Sequence, residues 1–406
     1  MQTLLHENRS DSGPANVPVL SANRPAQPVS EYGVLHFILD CRIGGPHMYV
    51  RNICIRSRGD SCNIVLTTGC GPITDISLFR LRHMWTPLYA IEVVANTFLI
   101  CMLGLLGKTR ITDNEVFHVH GAANIAPIFA ARLLRVPVLW HMHETGAEFS
   151  YFVKIGLWAL SGANHRLAVV AHKCTEVYQL SSPAFLPGAV DLKYWIRKRR
   201  SDISDTPSVH RSVSKVFHAR PVQVVAIGNL NPTKGMDILV NALVGVERPI
   251  EVKVVGAELS THQRYAQMLY KAADNLRTQS LNVNIEFLGW QDPAAVRELL
   301  ANCDAFVLPS RSEACPLVLL EALAMGCLCV ASDVGDVRLM LGGDARHRIF
   351  QPGAVEELRT ILQTLDSPPP PPRLNSYFVD EWNLERVAAK ISAIYEELRK
   401  PSAKSM

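Results

Sequence analysis

LPSRSEACPLVLLEALAMGCLCVASDVG, residues 308–335, decides how the rest of this 406-residue chain is read. It starts at the end of an apolar strand (CDAFVLPS), turns through a short polar loop and enters a helix with Pro316 near its first position. Proline suits that place because it needs no amide hydrogen and its φ is already helical. Leu317 to Leu320 and Ala322 to Met325 make the helix apolar nearly all round, which predicts burial. Gly326 offers a C-terminal cap, and LCVAS reads as another buried strand. One carboxylate, Glu321, sits inside this helix, eight residues after Glu313. Burying an unpaired charge is costly. Glu321 is therefore expected to meet something polar, either a ligand or a structural partner.

Composition sets outer limits. A chain of this length that is 48% hydrophobic is globular and holds roughly two domains. The net charge of +4 permits an anionic ligand or a membrane surface without calling for nucleic acid. Ten cysteines lie among apolar residues with no C-x-x-C pair, a pattern of small core residues in a reducing compartment. The chain does not open with a basic-then-apolar leader, so a cytoplasmic protein is expected.

Residues 1–30 lack periodicity and read as a disordered tail. YGVLHFILD is the first buried strand, and Gly44-Gly45 follows it, where backbone can approach an anion closely. NIVLTT is a second strand. YAIEVVANTFLICMLGLLG (89–107) reads as a core helix, its apolar run being shortened by Glu92 and Asn96, and an interfacial helix on anionic lipid is the alternative. EVFHVHG, NIAPIFAARLLR and VPVLWHMHETG form a strand–helix–strand unit, which implies a parallel sheet with ligands at the carboxyl ends of its strands. His118, His120, His141 and His143 fall at such ends. As H-x-H pairs without a cysteine or carboxylate cluster, they read as hydrogen-bonding cleft residues rather than metal ligands.

Residues 196–216 are polar and strand-free, and read as a linker carrying the basic run Arg197–Arg200. A second alternating unit follows. VQVVAI runs into Gly228, a polar loop and Lys234-Gly235 before an amphipathic helix, a phosphate-site pattern distinct from the P-loop. DPAAVRELLANC reads as a helix capped by Asp292 with Pro293 at its first position. PPPPPR (368–373) is a stiff spacer, and WNLERVAAKISAIYEELRK is an amphipathic terminal helix.

With both units in view, the chain resembles a retaining glycosyltransferase of family 4. The resemblance rests on SEACPLVLLEALAMGCLCVASDVG with its E-x7-E spacing, GNLNPTKGMDILVNAL (228–243), LGWQDPAAVRELLANCDAFVLPS, LPGAVDLKYW (186–195) and GGPHMYV (44–50). It covers roughly residues 33–399 and is stronger in the second half. It implies an α/β GT-B fold, two Rossmann-like domains with parallel sheets facing across a cleft. The domains would be an acceptor domain over 31–195, a linker over 196–216, a nucleotide-sugar domain over 217–377, and a helix over 378–399 returning to the first domain.

The resemblance also implies roles. Glu321 would bind the donor ribose, Glu313 the transferred sugar near its anomeric carbon, and Lys234 the diphosphate. The Leu317 and Val318 amides would hold phosphate oxygens, Gly45 would approach them from the other domain, and His143 would meet the donor sugar. Charge built on a departing nucleoside diphosphate suits a lysine and a helix amino terminus, so no metal or other cofactor is expected. The absence of a D-x-D motif fits this. The implied partners are a UDP- or GDP-type sugar and a glycan or lipid-linked acceptor, in cell-surface polysaccharide or glycolipid synthesis, with peripheral contact to the inner membrane leaflet. Two departures stand out. Asn229 occupies the place of a usual arginine, for which Arg220 and Arg311 are the substitutes in reach, and Ala314-Cys315 replaces a common glycine–aromatic pair. They motivate a rival reading, a non-catalytic GT-B protein that binds nucleotide or glycan. A nicotinamide enzyme is excluded because no G-x-G-x-x-G follows a strand.

Overall fold

The computed structural model describes residues 33–39, 49–50, 62–68, 76–79, 87–105, 115–196, 220–365 and 376–400. The first sheet contains β1 (Gly33–Ile38), β2 (Cys62–Thr68), β3 (Ile76–Leu78), β4 (Val116–His120), β5 (Val138–Met142), β6 (His165–Val169) and β7 (Ala184–Phe185). The second contains β8 (Val222–Ile227), β9 (Ile250–Val255), β10 (Val283–Gly289), β11 (Ala305–Leu308), β12 (Leu328–Ser332) and β13 (Arg348–Phe350). Every pairing between these strands is parallel. The strand orders are β3-β2-β1-β4-β5-β6-β7 and β10-β9-β8-β11-β12-β13. Strands buried on both faces need apolar residues throughout, which is why β4, β5, β11 and β12 have no exposed position. In each sheet the order reverses once, between β1 and β4 and between β8 and β11. Loops leaving the strand ends on either side of such a point diverge and open a crevice. This is the two-domain GT-B arrangement.

The helices of the first half are α1 (Pro87–Leu105), α2 (Ala126–Leu134), α3 (Ser150–Ala159), α4 (His172–Tyr178) and α5 (Leu192–Trp195). Those of the second are α6 (Met236–Leu243), α7 (Gln263–Gln279), α8 (Pro293–Asn302), α9 (Leu317–Ala324), α10 (Val337–Leu341), α11 (Val355–Gln363), α12 (Ser376–Glu381) and α13 (Leu384–Arg399). Asp292 caps α8, its Oδ1 accepting from the Ala294 and Ala295 amides at 2.9 Å each. LPGAVDLKYW follows directly on β7 and finishes in the short helix α5, capped by Asp191.

α13 crosses back to the first domain. Leu384, Val387, Ile391, Tyr395 and Leu398, spaced three and four apart, enter the core beneath β4, β5 and β6. Residues 1–30, Arg197–Arg200 and 368–373 lie outside the described residues.

α1 departs from the expected core helix. Its polar side chains face inward: Glu92 and Asn96 are buried, and Asn96 pairs with both the amide and the carbonyl of Phe79, at 2.8 and 2.9 Å. Its outward face carries Leu88, Ile91, Val94, Phe98 and Leu105, all exposed. Apolar composition predicted burial, but the polar residues took the inner face because backbone groups there needed partners.

Candidate active site

Two loops meet at the β8/β11 reversal. After β8, Asn231 begins a single 3-10 turn, Pro232–Lys234, its Oδ1 accepting from the Lys234 amide at 3.1 Å. Gly235 ends the turn at φ +66°, with the Pro309 carbonyl 2.0 Å from where a Cβ would stand. No side chain fits there, so the lysine loop is held against the β11 loop. After β11, the Ser332 hydroxyl donates to the Ser310 carbonyl at 2.6 Å, fixing the start of the glutamate loop. The Lys234 Nζ and the Ser310 hydroxyl both donate to Glu313 Oε1, at 2.7 and 2.8 Å. Lys234 and Glu313 are thus in direct contact, with Glu313 nearly enclosed and Lys234 more open.

α9 begins immediately beyond. Pro316 supplies its first carbonyl to the Leu319 amide and has no side chain to cap the helix. The Leu317 and Val318 amides have no acceptor within the described residues, so the helix presents open donors and its positive dipole end. Glu321 lies one turn on, the same side as Leu317. It keeps an open edge, but its carboxyl is largely buried, and this burial raises its pKa to about 8. No side chain or amide among the described residues meets it.

Asn229 accepts from the Ala257 amide at 3.2 Å and so ties the β8 loop to the β9 loop. Neither arginine considered in place of the missing cation is free. Arg220 grips Asp304 with two bonds of 2.8 and 2.6 Å at the amino end of β8, the wrong end of the sheet. Arg311 spends its guanidinium on Asp237 and the Pro232 carbonyl, bracing the lysine loop from outside. Among the described residues, Lys234 is the one cation that the two loops bring to Glu313.

The first domain meets this site through Asp336. Its carboxylate accepts from the His172 amide at 2.8 Å and His172 Nδ1 at 3.0 Å, capping α4, while its own amide donates to the Ala314 carbonyl at 3.2 Å. Gly335, at φ +54°, lets the chain pass within 2.4 Å (as a Cβ would measure it) of the Glu313 and Ala314 carbonyls. Cys315 packs against Gly188, and burial raises its thiol pKa far above the ordinary value. No sequence signal linked Asp336 to α4; only the folded chain joins them.

On the far wall, the Cys174 thiol and the Tyr178 hydroxyl both donate to the Glu144 carbonyl, at 3.2 and 2.9 Å, placing His143 and Glu144 beside α4. Glu144 Oε2 accepts from the Ala122 amide at 2.8 Å and the His143 amide at 3.3 Å, so it anchors this loop. His143 keeps part of its surface open, and burial of its ring depresses its pKa to about 3. His118, His120 and His141 do not line the cleft as expected. All three are fully enclosed with His36, and burial pushes their pKa values well down, so they are neutral. Gly45 lies outside the described residues. A hollow lined by Gln223, Lys253, Gln291 and Glu298 contains none of the residues above.

Residues 221–366 match the family described as glycosyl transferases group 1. The chain is 28% identical over 211 residues to one component of the phosphatidylinositol N-acetylglucosaminyltransferase of Arabidopsis thaliana, covering 49% of this chain and 44% of that protein. It is 26% identical over 153 residues to a D-inositol 3-phosphate glycosyltransferase of Rhodococcus erythropolis, covering 36% and 34%. It is 23% identical over 292 residues to the N-acetyl-alpha-D-glucosaminyl L-malate synthase of Bacillus anthracis, covering 65% and 71%. The chain thus spans less than half the length of the first two of these relatives, at 44% and 34%. Anabaena HepE, solved with UDP and glucose, superposes with a TM-score of 0.66 at 15% identity, over 90% of this chain and 100% of that one. A sucrose-phosphate synthase from Thermosynechococcus elongatus gives 0.66 at 16%, over 90% and 99%. Residues 221–366, which hold the lysine loop, the paired glutamates and the open helix end, are thus the part of the chain similar to glycosyl transferases group 1, and the fold is of the GT-B type.

Proposed function

We propose that this protein transfers a sugar from a nucleotide-sugar donor to a glycan or lipid-linked acceptor, with retention of anomeric configuration and without a metal at the diphosphate. The observation that carries this reading is the arrangement around α9. A carboxyl at Glu321 and two amides that have no partner among the described residues, together with the Lys234–Glu313 contact, flank the place where the β8 and β11 loops part. A nucleoside diphosphate sugar offers what each lacks: ribose hydroxyls for Glu321, phosphate oxygens for the amides and Lys234, and an anomeric centre near Glu313 and His143. As the bond to the sugar breaks, the diphosphate gains charge, and donors already in place stabilise it without reorganising. Incubation with a panel of UDP-, GDP- and ADP-sugars should release the nucleoside diphosphate, and NMR of the product should show the donor's anomeric configuration. Calorimetry showing nucleotide binding with no turnover across donors and acceptors would favour the non-catalytic reading, which Asn229 and Ala314 motivate.

The acceptor side of the proposal includes an anionic membrane at the cytoplasmic face. α1 is 19 residues long and apolar enough to cross a membrane by length and composition. Its buried Glu92 and Asn96 and its packing on α2 support a helix lying on the surface instead. Leu133 on α2 and Tyr151 and Trp158 on α3 extend the exposed apolar face. Arg132, Arg135 and Lys154, on or beside the same two helices, are exposed, as juxtamembrane cations are at anionic lipid. One of the relatives above also carries phosphatidylinositol in its name. The chain should float with vesicles containing anionic lipid and not with neutral ones. Ile91→Glu with Phe98→Glu should abolish flotation while leaving the thermal midpoint in place, since both side chains are already in water. Flotation that survives this double change would remove α1 from the contact.

A further inference from the structure

Parallel pairing brings together histidines that the sequence separates. His36 stands opposite His118 across β1 and β4, and His120 opposite His141 across β4 and β5. Period-two alternation keeps His118 and His120 on one face. The result is a stack of enclosed imidazoles, with the His118 and His120 rings 3.9 Å apart.

We propose that His36, His118 and His120 form a binding site for one transition-metal dication of the zinc type. One ring nitrogen from each lies within 4.8 Å of the other two. His36 Nδ1 and His120 Nε2 are 3.2 Å apart. Two nitrogens bound to tetrahedral zinc at 2.0–2.1 Å lie about 3.3 Å from each other, so this edge of the site is already formed. Two of the three outer nitrogens are held as metal ligands require: His118 Nδ1 meets the Tyr395 hydroxyl at 2.6 Å, and His120 Nδ1 meets His143 Nε2 at 3.1 Å. That leaves His118 Nε2, which is fully buried and has no hydrogen-bond partner among the described residues. An unpaired buried nitrogen is costly, and a metal bond would satisfy it. Three imidazoles select zinc, cobalt, nickel or copper over magnesium or calcium, and leave a fourth position for water or a small anion.

The second triad, His120, His141 and His143, is less complete. Its His141 lacks a well-formed hydrogen bond among the described residues, so its outer nitrogen is not held as those of His118 and His120 are. In the first triad the consequences are definite. A metal on His120 Nε2 keeps the proton on Nδ1, so His120 donates to His143 Nε2 and the His143 proton sits on Nδ1. That link bears on sugar transfer only under the function proposed above. Ion binding does not depend on it.

The test uses the full chain without an affinity tag, stripped with a chelator and confirmed folded by circular dichroism. Zn²⁺ is titrated by calorimetry and Co²⁺ by visible absorption. One ion per chain, with the absorption of four-coordinate cobalt, is expected. Tyr395→Phe keeps all three imidazoles and should weaken Zn²⁺ roughly 10–100-fold, as loss of a ligand-orienting partner does. His36→Asn should remove stoichiometric binding, and if that variant does not fold, Tyr395→Phe alone decides. Failure of the folded wild-type chain to bind either ion overturns the proposal. So does Zn²⁺ binding that Tyr395→Phe leaves unchanged, which would put the ion elsewhere. Neither result touches the nucleotide-sugar reading, because no donor is present in the experiment.

Discussion

Lys234→Ala should lower kcat/KM for the nucleotide sugar by about 10²–10³-fold, the usual cost of removing one preorganised stabiliser of developing negative charge. The expectation follows from Lys234 being, among the described residues, the one cation that the two loops bring to Glu313, with Arg220 and Arg311 committed to Asp304 and Asp237. A site with two diphosphate cations would lose one and keep the other. Here, among the described residues, the loss leaves only the α9 amides. Most of the effect should fall on kcat, because the charge on the diphosphate grows as the sugar leaves. Lys234→Arg should recover little, since a planar fork does not replace a compact ammonium against one carboxylate oxygen. Steady-state kinetics on the donor that turns over is the measurement. A Lys234→Ala variant within tenfold of wild type would show that another group carries the leaving charge.

The second large effect is at Glu321, and it has a pH signature. The folded carboxyl is raised to about 8 from an ordinary value of 4.5, by burial. The native state therefore holds this proton at neutral pH, and the unliganded protein loses stability as pH rises from about 4.5 to about 8. Ribose hydroxyls bind the ionised form best, because a charge-assisted bond is stronger than a neutral one. Nucleotide affinity should thus rise by up to roughly tenfold per pH unit below pH 8 and level off above it. Glu321→Gln should flatten this profile. Glu321→Ala should weaken binding at pH 8 by about 10–100-fold, the range for loss of one hydrogen bond to a charged group. Calorimetry of nucleoside diphosphate binding at several pH values checks both. An affinity in Glu321→Gln that keeps the wild-type slope would remove Glu321 from the ribose.

Much of this was legible in the residues. Pro316 and the apolar run after it marked α9, and the same run made Glu321 a buried carboxylate in need of a partner. The strand–loop–Lys-Gly pattern at 222–235 marked the lysine loop because each piece has a local cause. What the sequence could not reveal depends on register and facing. The helix at 89–107 was apolar enough to be core, yet Asn96 turned inward to pair with Phe79, and that exchange has no signature along the chain. The histidines read as two H-x-H pairs. That they form one enclosed group depends on β1, β4 and β5 pairing in parallel at one particular offset. Tyr395, which touches His118, lies 277 residues away, and only the amphipathic spacing of α13 hinted that it faces a core.

α13 has a consequence for how the protein is made. Residues 220–365 form a continuous domain with its own core, whereas the first domain lacks Leu384, Val387, Ile391, Tyr395 and Leu398 until the last stretch of chain is available. Domains usually fold in order as they leave the ribosome. Here the domain that precedes residues 220–365 is the one that closes after them, because α13, with Tyr395 against His118, completes a core begun more than 300 residues earlier.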